Sequence, residues 1–555
     1  METYYELVKN DAEERDALFK RMDADVKLRN LEAYVMRDAN KALIHGVINV
    51  TLNKPKVLAT HVIAAIGNVI EQIIVETEDK KMDTDYIKDF QRLAFAAADA
   101  RLQLQGRYDL NPYTDEQTCM RGGAVARCLF QLVDGKLTTD ITPWDYRYTN
   151  YAIGVEGLKW ASFGYKFNRK KADIESEAWA KDNKFVIITG KEAEVVDVWD
   201  TDHNEIWLAG QKVYEQEHNF KDVMGEPYVP VVIRTVSVGS MLSDAIAERN
   251  ESIYFLIREA VPELNRLVSI LQTLNFQSIK RAAQYASKEG TNAEPPEYED
   301  ALAPGSITSV DIGGGIVPVD LGDATRAATM ALNIMNRNMD EGGLSATELG
   351  ILGTPPASGI ALIQAKEGKE IIYIPRLKTK AAMKQGLAQM FTNQVIQIGG
   401  SVEIGTPGHQ RSFDTGKLRG QYEISYGYTV KSLSSEAGLA SLSAALGNLV
   451  PDRAKRREIM QREDPDGDER WLNWEEAGRL SPLIKLRRIV NDLIELDEDE
   501  EAKLITDEAG VRLEQLLGGT VEGAKPETPQ EPKQMVNLWG GGQGRQTRQP
   551  TEEQE

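Results

Sequence analysis

In DPDGDERWLNWE, residues 464–475, Asp464, Asp466, Asp468 and Glu475 stand at positions 1, 3, 5 and 12 of a calcium loop, where oxygen donors could surround a divalent cation. Position 6 of such a loop normally takes a glycine for its sharp turn. It holds Glu469 instead, the glycine is displaced to Gly467, and Pro465 stiffens the approach. The simpler reading is a turn followed by a helix with an acidic first turn, which the helix dipole favours. No phosphate loop of the GxxxxGK[ST] form, HExxH zinc helix or GxSxG nucleophile turn occurs. The run Gly313-Gly314-Gly315 continues as Ile316, Val317 and Pro318, so it completes no GxGxxG turn. His45, His61, His203, His218 and His409 are scattered, none in ligand spacing with another, and read as surface or satisfied core residues. Cys119 and Cys128 are too few for a disulfide framework or a thiolate zinc site, so a reducing compartment is expected. Catalytic triads converge only in space, but nothing in the sequence asks for an enzyme or a cofactor, and neither is expected.

Lys and Arg cluster in four places: Arg169-Lys170-Lys171; Arg376, Lys378, Lys380 and Lys384; Arg453, Lys455, Arg456 and Arg457; and Lys485, Arg487 and Arg488. Each reads first as a solvated helix face or a salt-bridge partner. The whole chain is acidic, with a formal net charge of -21. That balance argues against a conventional DNA-binding protein, since duplex phosphates release counterions only to cations, but it suits a protein that DNA must pass without sticking. At 555 residues the chain has room for three or four domains, and its hydrophobic (41%) and charged (27%) contents are those of a folded protein. The opening METYYELVKNDAEERD lacks the basic-then-apolar order of a signal peptide. The longest apolar stretch, residues 57–75, contains His61, Asn68, Glu71 and Gln72; it is expected to be a buried amphipathic helix, not a membrane span.

The elements around residues 241–399 carry most of the architecture. Ile257, Val261, Leu264, Val268 and Leu271 recur at spacings of four and three along one side of a helix, widened by Leu267, Ile270 and Leu274. Pro262 marks either a kink or the first turn of a new helix, which then runs unbroken to about Ser287. Residues 289–323 change character, with Pro295, Pro296, Pro304, Pro318, the triple glycine and two short β-branched segments: a small β insert on a helical hairpin. An Ala- and Met-rich helix returns from Ala324 to about Met339. ELGILGTPPASG, residues 348–359, is a loop, because Pro355 and Pro356 cannot continue a helix. A third helix runs from about Ile360 to Gln397 and should bend at Pro375.

Elsewhere, residues 1–45 predict a helix or helical pair with Leu18, Phe19 and Met22 on one face, and a further helix spans Asp83 to about Gln105, stopped by Gly106. Asp134-Gly135 between two apolar runs predicts a hairpin, and residues 185–217, rich in Val, Ile and Trp, predict an antiparallel sheet. Strands follow Gly399-Gly400 to about Val430, then helices to about Leu517 and a flexible Pro/Glu/Lys-rich tail from Gly518.

In this order of elements the chain resembles the portal, or head-tail connector, proteins of tailed double-stranded DNA phages. The resemblance is carried by DITPWDYRYTNYAIGVEGLKW (140–160), VPELNRLVSILQTLN (261–275), GTPPASGIAL (353–362) and IMQREDPDGDERWLNWEEAGRLSP (459–482), and spans roughly residues 45–500. It implies an α+β fold: an N-terminal helical segment (1–45), a wing (46–240 and 359–431), a stem helix region (241–288), a clip (289–323), a second stem helix (324–343), a tunnel loop (344–358), a helical crown (432–517) and a tail (518–555). It further implies a ring, expected to hold twelve copies, at one capsid vertex of a virion, assembled in the host cytoplasm. The ring would conduct DNA for packaging and ejection without reading its sequence, with no membrane involved. Terminase and head-tail adaptors would dock on the clip, at Pro295, Pro296, Pro304, Gly313, Gly314 and Gly315, and a capsid or scaffolding protein would surround the ring. Leu349, Thr354, Pro355 and Pro356 would project from the tunnel loop, and Lys366, Lys369, Arg376 and Lys378 would form the few positive rings of the channel, with salt bridges inside the wing as their competing role. A head-tail adaptor or other virion structural protein, a helical scaffold, and a nuclease or protease with dispersed residues are the alternatives.

Overall fold

The computed structural model describes residues 3–79, 82–133, 135–164, 169–182, 190–242, 244–279, 283–286, 315–318, 329–337, 370–406, 408–429, 443–445, 447, 450–452, 455, 465–495 and 499–510. They divide into two units, Met1–Gly447 with Ile459–Gln461, and Asn448–Glu458 with Arg462–Glu555. The first is α+β with antiparallel sheets and the described part of the second is helical.

Thr3 opens α1 (Tyr4–Glu14) with a capping box: its hydroxyl accepts the Glu6 N–H while the Glu6 carboxylate accepts its own. α2 (Asp16–Arg29) turns Leu18, Phe19 and Met22 inward, as their spacing predicts. α3 (Lys54–Gly67) is followed by β1 (Ile70–Glu76), α4 (Thr84–Leu104) and α5 (Leu110–Met120). The Asp83 carboxylate caps α4 by accepting the Tyr86 N–H at 3.0 Å, and Gly106, at a φ of +69°, ends it. β2 (Gly123–Val133) and β3 (Lys136–Trp144) form the hairpin expected around Asp134-Gly135, and β11 (Val231–Thr235) pairs with the other edge of β2. A five-stranded antiparallel sheet has the order β10-β9-β8-β5-β4, from β4 (Thr149–Gly154), β5 (Gly157–Gly164), β8 (Val195–Asp200), β9 (His203–Leu208) and β10 (Gln211–Glu217). Between β5 and β8 lie β6 (Arg169–Lys170), α6 (Lys171–Ser176), α7 (Ala178–Asp182) and β7 (Glu192–Ala193).

α8 (Ala260–Ile279) and β12 (Ala283–Ala286) come next, and β12 pairs antiparallel with β13 (Gly315–Pro318). Residues 329–337 form α9, and α10 (Glu370–Ile398) carries Pro375 inside it. β14 (Ser401–Thr406) and β15 (His409–Asp414) make a hairpin, and β16 (Glu423–Thr429) returns to pair with β1. The main core lies where α4 and α10 pack on β2, β3 and β14–β16. Phe391 of α10 stacks on Phe130 with ring centroids 5.0 Å apart and meets Phe95 edge-on at 5.2 Å.

Two expectations are corrected. Residues 57–75 are not one helix: α3 ends at Gly67, and Ile70, Ile73, Ile74 and Val75 lie in β1 opposite Thr429, Tyr426, Ser425 and Ile424. β-branched residues suit a strand once a partner is present, and that partner lies some 350 positions away. The helix expected to run to Ser287 ends earlier, because Ala283–Ala286 is a strand; at 20 residues α8 is roughly 30 Å long. Pro262 sits in its first turn, preceded by turns rather than by a kinked helix.

The second unit contains α11 (Pro465–Leu480), α12 (Pro482–Glu495) and α13 (Asp499–Glu508), with Val490, Ala502 and Thr506 buried among them. The Arg488 guanidinium lies 3.6 Å from the Trp474 ring and donates to its carbonyl at 2.8 Å. α11 holds most of the residues of the expected calcium pattern. The backbone from Pro465 through Glu475 is helical and does not follow the path of a twelve-residue calcium loop, and the turn expected before it lies outside the described residues. Asp466 and Asp468 lie in the first turn, Glu475 is exposed with Arg479 at 3.9 Å, and Asp464 lies outside the described residues. Among the described residues no group of His, Cys, Asp or Glu could hold a metal ion, and no helix is long and apolar enough to cross a membrane.

Candidate functional site

The root of α8 joins the sheets to the helical hairpin, and half-buried arginines hold it. Residues 246–252 enter a left-handed bend at Asn250 (φ 57°) that presses on Gly122, where a Cβ would fall 2.2 Å from the Asn250 carbonyl oxygen. Arg21 of α2 donates to the carbonyls of Ala247, Arg249 and Asn250 and lies 3.3 Å from the Glu251 carboxylate. Arg258 donates to Asp25 through Nε (2.6 Å) and Nη2 (2.9 Å), and to Glu251 through Nη2 (2.5 Å). Burial pushes both guanidiniums down; for Arg258 the hydrogen bonds to Asp25 and Glu251 outweigh it and hold the group above its ordinary value. Tyr254 donates to the Pro55 carbonyl at 2.8 Å, tying the same turn to α3.

A second device runs along α8. Its buried face carries Asn265, Ser269 and Thr273, spaced by four, and these side chains accept the backbone N–H groups of Leu52 (3.0 Å), Val50 (2.9 Å) and Ile48 (3.0 Å). Alternate amides of an extended strap thus bond to successive turns of one helix, because both advance by comparable distances. The expected apolar stripe is buried at its start, from Ile257, and half-buried further along. Val261 and Leu264 are buried, whereas Val268, Leu271, Leu267, Ile270 and Leu274 are half-buried. The polar series at spacing four was in the sequence and could have been noticed.

α10 supplies a third set. Arg376, Lys380 and Lys384 also recur every four residues, and their face points inward. Lys380 meets Asp115 of α5 at 2.7 Å, and Lys384 meets Glu71 of β1 at 2.6 Å. Burial pushes the Lys384 ammonium down and the Asp99 and Asp115 carboxyls up, with Lys380 pulling Asp115 the other way. The Tyr428 hydroxyl donates to Glu71 at 3.2 Å. The assignment of Arg376 to a channel is therefore corrected. It is fully buried, and it donates to the Ile372 carbonyl at 2.6 Å and the Glu251 carbonyl at 3.3 Å, so it offers no charge to solvent. Lys378, on the opposite face, is exposed.

Lys366, Lys369, Leu349, Thr354, Pro355, Pro356, Pro295, Pro296, Pro304, Gly313 and Gly314 lie outside the described residues; Gly315 opens β13, opposite Ala286. The histidines are structural or superficial: His218 donates from Nε2 to the Asp200 carbonyl (3.1 Å) beside Trp199, and His45, His61 and His409 are exposed. Cys119 and Cys128 are free and buried.

No protein-family model matches the chain, and no curated protein does. Among solved structures it is similar to the neck of an empty gene transfer agent particle computed with C6 symmetry, at 10% identity and a TM-score of 0.40 over 74% of this chain and 90% of that one. It is also similar to the neck of the native particle computed with C12 symmetry (10% identity, TM-score 0.39, 74% and 89%) and to the virion of the native particle (11%, 0.37, 74% and 89%). Likeness at these values fixes neither fold nor role.

Proposed function

We propose that the chain is a portal: a ring-forming, non-enzymatic conduit for double-stranded DNA at a virion vertex. One observation carries the reading. α8 leaves a buried root, β12 and β13 pair beyond its end, and α9 comes back to pack Leu332 and Met335 against the same cluster as Val261 and Leu264, with Asn336 accepting from Lys54 at 2.9 Å. The result is a helical hairpin with a strand pair at the far end of α8, anchored at one root. Copies arranged about an axis with these hairpins side by side would enclose a channel. The net charge of -21 supports passage of DNA without adhesion, and Lys378 is the described residue left as a candidate positive ring. In this reading the strand pair and the residues between its strands meet terminase and adaptors, and a capsid or scaffolding protein surrounds the ring.

Negative-stain imaging of the purified chain tests it. Rings with an axial hole are expected, and monodisperse monomers at high concentration would refute it. Deleting residues 344–358 should leave rings intact and impair DNA packaging or retention. Metal-dependent turnover by the purified protein would overturn the non-enzymatic part.

A further inference from the structure

His218, the residue after β10, closes the corner where α1 docks on the five-stranded sheet. Its ring lies between Trp199 of β8, with centroids 5.5 Å apart, and Phe220, at 5.0 Å. Nε2 donates to the Asp200 carbonyl, and the His218 backbone N–H donates to the Asp202 carbonyl at 2.8 Å, so ring and backbone both fasten the turn between β8 and β9. Nδ1 is buried and has no hydrogen-bond partner. Asp200 in turn holds α1. Its carboxylate accepts the Tyr4 hydroxyl at 2.6 Å, together with the backbone N–H groups of Asp202 (2.7 Å) and His203 (2.5 Å). Beside Tyr4, Tyr5 stacks on Trp207 with centroids 6.0 Å apart. Burial pushes the His218 imidazole down from its ordinary 6.5; Asp200 and Asp202 pull it up, and His203 pushes it further down.

We infer that His218 is an acid-sensitive pin: neutral, it fastens the Asp200 corner and with it the docking of α1, and protonated it releases both. The reason lies in the buried Nδ1. In the neutral ring that atom is an unmatched lone pair, whereas a proton there becomes a buried N–H with no acceptor, which costs more. The Trp199 face would attract an imidazolium, but that ring already has the Arg127 guanidinium 5.6 Å from its centroid. A histidine whose value is lower folded than unfolded contributes stability that is present above 6.5 and is lost as pH falls through the folded value. Ordinary carboxylates stay ionised across that window. The inference goes beyond the ring reading and does not depend on it.

Exchange at the imidazole C2 position, read by mass spectrometry on the full-length chain, follows His218 itself. Its midpoint is expected below 6.5 and should move to 6.5 in urea; a midpoint at or above 6.5 in the folded chain would overturn the inference. Amide exchange, corrected for its intrinsic pH dependence, is the second readout. Between about pH 7.5 and 5.5, residues 4–14 and 199–220 should lose protection about fivefold or more, the factor expected when a buried donor is left unpaired, while α4 and α10 keep theirs. His218→Gln keeps a donor without the titration and should abolish the loss, and His218→Phe, which keeps the stacked ring, should do the same. A loss that persists in both variants would assign it to other groups and overturn the pin. A loss confined to residues 199–220 would overturn its hold on α1.

Discussion

Replacing Arg258 by leucine asks whether the root of α8 is an electrostatic joint. The guanidinium makes three contacts of 2.5 to 2.9 Å, two to Asp25 and one to Glu251. Asp25 is 1% exposed and Glu251 6%. Leucine leaves both carboxylates in a low-dielectric site, and removing one partner of a buried ion pair costs about 3–5 kcal/mol. Glu251 keeps Arg21 at 3.3 Å, so most of that penalty falls on Asp25. Adding Asp25→Asn to Arg258→Leu should therefore recover about 2 kcal/mol, because the orphaned charge is gone while its hydrogen-bonding oxygen remains. With two units in the chain a single global unfolding free energy is ill defined. The suitable assay is hydrogen exchange across a urea series, read on peptides from α2 and α8. A loss below about 1 kcal/mol, the scale of an exposed pair, would show that the network does not hold the root. Recovery absent from the double variant would refute the assignment of the penalty to Asp25.

Ser269→Ala leaves the Val50 N–H without its acceptor, at a local cost of about 1–3 kcal/mol; amide exchange at residues 48–52 should accelerate while α4 and α10 keep their protection. Asp99, raised by burial, binds its proton more tightly folded than unfolded, so it lowers stability as pH rises from the ordinary value of 3.8 through its raised one. Asp99→Asn should flatten that part of the pH–stability curve and raise stability at pH 7; an unchanged slope would count against the buried carboxyl. Burial holds the Cys119 thiol up at about 12 and raises Cys128 as well, so neither should react with a thiol reagent at pH 8 until the chain unfolds.

Elements with their own local punctuation were legible. Asp83 and Gly106 bracket α4, Gly135 closes the β2–β3 hairpin at a φ of +76°, and Leu18, Phe19 and Met22 are buried as their spacing predicts. Of the strand pair, β13 falls inside the Gly- and Pro-rich insert expected at residues 289–323, and α9 falls inside the expected returning helix, whereas β12 lies in a segment that reads as helix. Where a partner is distant, legibility failed. β1 reads as a helix until β16 lies beside it, and α8 reads as too long until β13 pairs with the segment beyond its end.

The candidate site was the least legible part, and the helix of α10 shows why. Its sequence determined by itself that Arg376, Lys380 and Lys384 share one face and Lys378 another, since 3.6 residues make a turn whatever the surroundings. Which face meets water is not a local property. Asp115 and Glu71, 265 and 313 positions away, and the Glu251 carbonyl make an inward cationic face tolerable. Without them those charges would carry the full desolvation cost and the face would turn outward. Periodicity, punctuation and net charge were therefore settled by the chain itself. Helix ends, strand partners and the burial of each charge were settled by tertiary packing, which alone brings the compensating groups into reach.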